Sequence, residues 1–349
     1  MGLTPVYGHR ALLDRLAGAI ASSRFPQAVL LTGPRGVGKQ RLALWVAQGL
    51  LCEGGPAAPC GECQACQMVN GLRHPDLHWF VPIPRPKADT DRQIAEAAET
   101  LGEVIATRRE RPLWTAPDGL ANHSLASVRL LQRAVSLTPA MGHRKVILLG
   151  DAERLVVQED SPAANAMLKV LEEPPANTTL LLTTSEAQAL LPTIRSRVAP
   201  IRVQRLSDQD VGAFLSRELD PPLKGAELEH RIGQAEGSIG RALERQGGGQ
   251  GADHAAERFL AAVRGGPAAW ARLALGQIPW SARGEFTAML DALALRLRAE
   301  IGAQASQSMA SLRARVAALQ AVESIRADAQ GNVNPQLAMG VLAGQIGGR

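Results

Sequence analysis

The stretch LLTGPRGVGKQRLALWVAQGL (30–50) constrains the fold of this chain more than any other. An apolar run of strand character ends in a glycine-rich turn, and a helical pattern follows at once. Gly33, Gly36, Gly38 and Lys39 fall in the spacing G-x-x-x-x-G-K. In such a turn the backbone N–H groups cradle phosphate oxygens at a helix N-terminus, and the lysine reaches the outer ones. The next position of the pattern carries a hydroxyl that ligates Mg²⁺, yet here it is Gln40. A turn of this kind needs a buried strand behind it and a helix ahead of it, so an α/β fold is expected.

Five short apolar runs have strand character: AVLLTG (28–33), LHWFV (77–81), KVILLGD (145–151), TTLLLTTS (178–185) and PIRVQRL (200–206). Helical patterns separate them, as in a mostly parallel sheet buried on both faces. SPAANAMLKVLEEPP (161–175) predicts a helix capped by Ser161, opened by Pro162 and ended by Pro174 and Pro175. Ala164, Met167, Leu168 and Leu171 share one face of it, and Leu125, Val128, Leu131 and Val135 form a similar stripe on the preceding helix. Residues 82–121 read as an insertion around a charged helix. After residue 206 only helical patterns remain; Ser207 with Asp210 opens one, and QGGGQGAD (246–253) reads as a flexible linker.

Asp151, at the end of a strand in GDAER, is the candidate acidic partner of the phosphate loop. In a hydrolysing enzyme of this type a glutamate follows that aspartate and polarises water. Here Ala152 follows, and Glu153, one position later, is expected to point elsewhere. All four cysteines lie in CEGGPAAPCGECQAC: Cys52, Cys60, Cys63 and Cys66. Their spacing suits a closed tetrahedral site for structural Zn²⁺, with an iron–sulfur cluster as the alternative. His74 and His78 lie nearby and are not needed as ligands. LPTIRSRVAPIRV (191–203) holds Arg195 and Arg197, either of which reads alone as a surface arginine.

Together, YGHRALLDRLAGAI, LLTGPRGVGK, the cysteine module, HPDL (74–77), VILLGDAERL, NAMLKVLEEPP, TIRSRV and GSIGRAL (237–243) closely resemble the clamp-loader branch of the AAA+ proteins. The resemblance covers about residues 5–245, apart from the insertion. It implies an AAA+ P-loop domain at 1–205 with an embedded zinc module (about 52–66), a helical lid at 206–246 and an all-α collar at 253–349. It also implies a hetero-oligomeric ring with a delta subunit and tau or gamma ATPase subunits, which loads a sliding clamp onto primed DNA. Motor subunits of the family carry Ser or Thr at position 40, Glu at 152 and a lid arginine directly after G-S-x. This chain has Gln40, Ala152 and Gly240, with Arg241 one position late. Arg197 matches the family's arginine finger, which acts on a neighbour's ATP, while Val198 replaces the cysteine of that motif. The resemblance therefore points to a non-hydrolysing stator, with ATP binding left open.

Composition bears on the rivals. The formal charge of +5 is spread along the chain, and aromatic residues are only 3%, so a nucleic-acid adaptor built on stacking surfaces is disfavoured. An active ATPase motor is opposed by Gln40 and Ala152. The opening MGLTPVYGHRALLDRL holds no apolar core of signal-peptide length, and Leu42–Cys52 is too short to cross a bilayer, so a cytoplasmic location away from membranes is expected.

Overall fold

In the computed structural model, the described residues are 2–55, 59–86, 92–113, 121–155, 161–276, 283–303, 309–328 and 334–347. Residues 56–58 of the cysteine module and 87–91 and 114–120 of the 82–121 segment lie outside them. In chain order the elements are α1 Arg10–Ala21, β1 Ala28–Thr32, α2 Lys39–Leu51, α3 Gln64–Asn70, β2 Leu77–Phe80, α4 Gln93–Glu110, α5 Leu125–Ser136 and β3 Lys145–Leu149. There follow α6 Pro162–Glu172, β4 Thr178–Thr184, α7 Pro192–Arg195, β5 Ala199–Arg202, α8 Asp208–Arg217, α9 Gly225–Ala235 and α10 Ile239–Arg264. The last four helices are α11 Pro267–Leu275, α12 Arg283–Ala303, α13 Met309–Asp328 and α14 Pro335–Gly347. Contacts divide the chain into two units, one ending at Leu243 and one running from Glu244 onward.

In the first unit the five strands form one parallel sheet in the order β2-β3-β4-β1-β5. The crossovers carry helices to both faces, and the period-two alternation divides the strand residues between them. Val29, Leu31, Trp79, Val146, Leu148 and Leu181 join the core under α1, α2 and α4. Leu30, Phe80, Ile147, Leu149, Leu180 and Leu182 join the core under α5 and α6. This is the helix-covered, parallel five-stranded α/β architecture that the sequence predicts. All five expected strands are present, and Ser161 caps α6 through the Ala164 N–H.

The helix in the 82–121 segment is docked on the sheet: Ile94, Ala97, Leu101, Val104 and Ile105 of α4 pack into its first core. Its charges are numerous, but an apolar residue recurs every three or four positions. One expectation needs correction: the backbone of α10 runs helical through 246–253, where the sequence reads as linker. Glycine lowers helix stability by only about 1 kcal/mol per residue, and the run has no proline to break it.

Residues 206–243 share the first unit. Leu206, Val211, Phe214 and Leu215 form a small core with Tyr7, whose hydroxyl donates to Glu218. Among the described residues the second unit's elements are all helices. Phe259, Leu290, Leu293, Val322, Met339 and Leu342 are buried at its centre, and the Arg298–Glu323 and Arg326–Asp291 pairs join α12 to α13.

Asp76, in the HPDL turn before β2, fixes the loop between α5 and β3. It is buried, and its carboxylate accepts the N–H groups of Ala140, Met141 and Gly142. Burial alone would raise its pKa; the three donors outweigh burial and hold it below the ordinary aspartate value. A depressed folded pKa means stability that is present above the unfolded value and lost as pH falls through the folded one. Asp76→Asn should therefore destabilise the first unit by about 2 kcal/mol in urea unfolding near neutral pH. The gap between the two proteins should close as the pH falls below about 4.

Candidate phosphate-loop site and cysteine cluster

The phosphate loop lies between β1 and α2 and is held from several sides. Gly33 (φ 156°) passes so close to Val203 that an added Cβ would stand 2.1 Å from its carbonyl oxygen. Gly36 (φ 76°) meets the N-terminal end of α10: Gly240, in the helix's first turn, donates its N–H to the Gly36 carbonyl at 2.9 Å, and Ser238 Oγ, just before the helix, donates to the Arg35 carbonyl at 2.9 Å. A Cβ on Gly240 would lie 2.6 Å from Gly36 Cα, so this contact of two backbones requires glycine at position 240. Gly38 caps α2 in the left-handed region at φ 93°.

Lys39 is 6% exposed, and its ammonium donates to the carbonyls of Gly33 (2.9 Å) and Pro34 (2.8 Å) and to Ser185 Oγ (2.9 Å). All three of its protons are thus engaged. Burial pushes its pKa down to about 8, against the opposing pull of Glu153 and Asp151. Glu153 does not point elsewhere, as the sequence suggests. Asp151 adopts φ 52° and the chain turns into a short 3₁₀ segment, Ala152–Leu155. That turn buries Ala152 and brings the Glu153 carboxylate to the N–H of Ser185 at 3.2 Å. Burial first, and then the neighbouring Asp151, raise the Glu153 pKa.

Position 40 is filled in a way the sequence does not disclose. Gln40 Nε2 donates to Asp151 Oδ2 at 3.0 Å, while Arg108 Nη1, from α4, donates to Gln40 Oε1 at 3.3 Å. Arg108 is 4% exposed and its guanidinium carbon stands 4.5 Å from the centroid of the Trp79 ring. Burial lowers its pKa to about 10, with Asp151 pulling upward, so it stays a cation. Mg²⁺ needs oxygen ligands in near-octahedral array. An amide that donates to the carboxylate, beside a buried cation, does not fit it.

The four cysteines converge. Their sulfurs lie within 4.8 Å of one another, with Cys52–Cys60 at 3.5 Å and Cys52–Cys63 and Cys60–Cys66 at 3.9 Å. Zinc–sulfur bonds of about 2.3 Å in a tetrahedron place the sulfurs about 3.8 Å apart, so the donor set fits this ion. Backbone N–H groups of Gly54, Cys60, Cys63 and Cys66 donate to three of the sulfurs. His74 is engaged instead in its own turn, where Nδ1 accepts from the Asp76 N–H.

Arg197 lies apart from the loop, after α7, with its side chain 35% exposed. It donates to the Thr193 carbonyl at 3.0 Å and pairs with Glu172 at 2.9 Å. Arg195 donates instead to Gln188 at 2.7 Å.

A family model described as "DNA polymerase III, delta subunit" matches residues 8–207. The chain belongs to this family. It is 36% identical to DNA polymerase III subunit delta' of Pseudomonas aeruginosa over 190 residues, covering 54% of this chain and 45% of that protein. It is 30% identical to subunit delta' of Bacillus subtilis over 217 residues, covering 60% and 54%. Subunit tau of Salmonella typhimurium is 30% identical over 207 residues, covering 59% and 26%. The chain thus spans about half the length of the delta' relatives it matches. Among the described residues no helix is long and apolar enough to cross a membrane.

Proposed function

We propose that the chain is a non-hydrolysing, delta'-type stator of a DNA polymerase III clamp loader, whose contribution to ATP turnover is an arginine lent to a neighbouring subunit. One asymmetry carries this reading. Positions 40, 152 and 240 hold an amide, a buried methyl group and no side chain, whereas Arg197 stands at the surface. In this reading 1–205 is the AAA+ domain, 206–246 the lid and 253–349 the collar that assembles with delta and tau or gamma subunits. The ring acts in the cytoplasm and passes a sliding clamp onto primed DNA. The Arg197–Glu172 pair does not oppose this role, since an exposed ion pair is worth only about 0–1 kcal/mol. A permanently charged, planar guanidinium released from it can meet two oxygens of a neighbour's γ-phosphate as charge develops.

One observation favours the rival reading as an ATPase motor: Glu153 reaches the loop region at Ser185. Turnover decides between them. The isolated chain should hydrolyse no ATP above a Lys39→Ala control. In a reconstituted ring, Arg197→Ala should leave assembly intact and silence the single site it faces, where such fingers are worth roughly 10³–10⁵ in rate. Total ATPase should fall in part and clamp loading further, with Arg197→Lys giving no rescue and Arg195→Ala milder. Wild-type loading by an assembled Arg197→Ala ring would refute the assignment.

The cysteine cluster is read as one structural Zn²⁺ per chain, held by Cys52, Cys60, Cys63 and Cys66. Four thiolates leave no open position for substrate, and such sites contribute on the order of 10 kcal/mol of apparent binding free energy near neutral pH. Metal analysis should give one zinc per chain. Cys63→Ser should lose it and unfold the module while far-UV circular dichroism of the remainder is retained. Iron with visible absorbance would contradict this.

A further inference from the structure

The cation of a phosphate-loop site sits between the hydroxyl after the lysine and an acidic side chain on a neighbouring strand. In this chain that place is built over. Gln40 reaches Asp151 with its amide nitrogen at 3.0 Å and turns its oxygen to Arg108 at 3.3 Å. The amide has only one orientation that serves both neighbours, because a guanidinium only donates and an ionised carboxylate only accepts. Gly150 provides the room: a Cβ there would stand 2.9 Å from the Gln40 amide carbon and oxygen. The guanidinium is held in place, buried to 4% exposure and lying over the Trp79 ring at 4.5 Å from its centroid. A positive charge therefore already faces Asp151 through one bridging amide.

We infer that Arg108 and Gln40 hold the metal's place on Asp151, so that any polyphosphate binding the loop retains is independent of Mg²⁺. The role of α4 is then to deliver this charge: its apolar residues dock it on the sheet, and Arg108, near its C-terminal end, completes the site. A divalent cation entering here would have to displace the Gln40 N–H from the carboxylate and lie beside a buried cation that cannot deprotonate at neutral pH. The inference rests on reading 33–39 as a nucleotide-type loop. It does not rest on the stator role.

The test uses the full chain and a fluorescent N-methylanthraniloyl ATP, titrated with EDTA or with Mg²⁺. The wild type should show the same affinity, or the same lack of it, in both. Gln40→Thr combined with Arg108→Gln, checked for folding by its thermal melt, should gain at least about tenfold in affinity when Mg²⁺ is added. Gln40→Thr combined with Arg108→Lys keeps the positive charge and should stay insensitive to Mg²⁺, which a merely structural role for Arg108 would not produce. Wild-type binding that tightens with Mg²⁺ overturns the inference, as does a folded Gln40→Thr, Arg108→Gln variant without the gain. If that variant does not fold, equilibrium dialysis of the wild type against Mn²⁺ and ATP decides. Metal retained with the nucleotide contradicts the inference; nucleotide without metal, or neither, supports it. Mg²⁺-dependent binding without hydrolysis would defeat this inference alone, whereas hydrolysis would defeat the stator reading.

Discussion

The buried ammonium of Lys39 organises the centre of the first unit. Leaving a charge unpaired in the interior is costly, so each of its protons must find an acceptor. Two acceptors are carbonyls of its own loop, and the third is Ser185 at the end of β4. That set ties the β1 loop to the neighbouring strand and brings in Glu153, which accepts from the same serine's backbone. Gly36, in turn, accepts through its carbonyl the N–H of Gly240 in the first turn of α10. The loop thus keeps the shape of a phosphate cradle while directing its polar groups at the protein itself.

The same economy appears at position 40. A hydroxyl there would be too short to bridge Asp151 and Arg108, whereas glutamine spans both, and Gly150 leaves it space. Cradle, cation and carboxylate are satisfied internally. The arginine read as functional lies elsewhere, on the surface after α7, where the Thr193 carbonyl, the Ser196 hydroxyl and the exposed Glu172 carboxylate are easily exchanged for a partner. The cysteine cluster is likewise suited to holding structure, since its sulfurs enclose one centre and offer no fifth position.

Local chemistry made much of this legible. The strands announced themselves as short apolar runs, and Ser161 and Ser207 each cap the helix the sequence assigns to them. The cysteines could be grouped because they lie within fifteen residues, and their spacing survives folding as one cluster. What escaped was non-local. Arg108 meets a residue 68 positions away, and nothing in its own segment marks it apart from other helix-end arginines. Glu153 turns to the Ser185 N–H because the backbone is left-handed at Asp151, a turn that the segment's side chains do not announce. Gly240 looked only like a lost arginine, yet its fit against Gly36 is a packing requirement in its own right.

The central claim is that this subunit's chemistry acts in its neighbour's site rather than its own. The most direct measurement is the structure of the assembled ring, with ADP and fluoroaluminate trapped in the adjoining motor subunit. The account predicts Arg197 released from Glu172, its guanidinium about 3 Å from the fluoroaluminate, and the chain's own Asp151 still engaged by Gln40 without a metal. Arg197 still paired with Glu172 while another residue contacts the fluoroaluminate would contradict it.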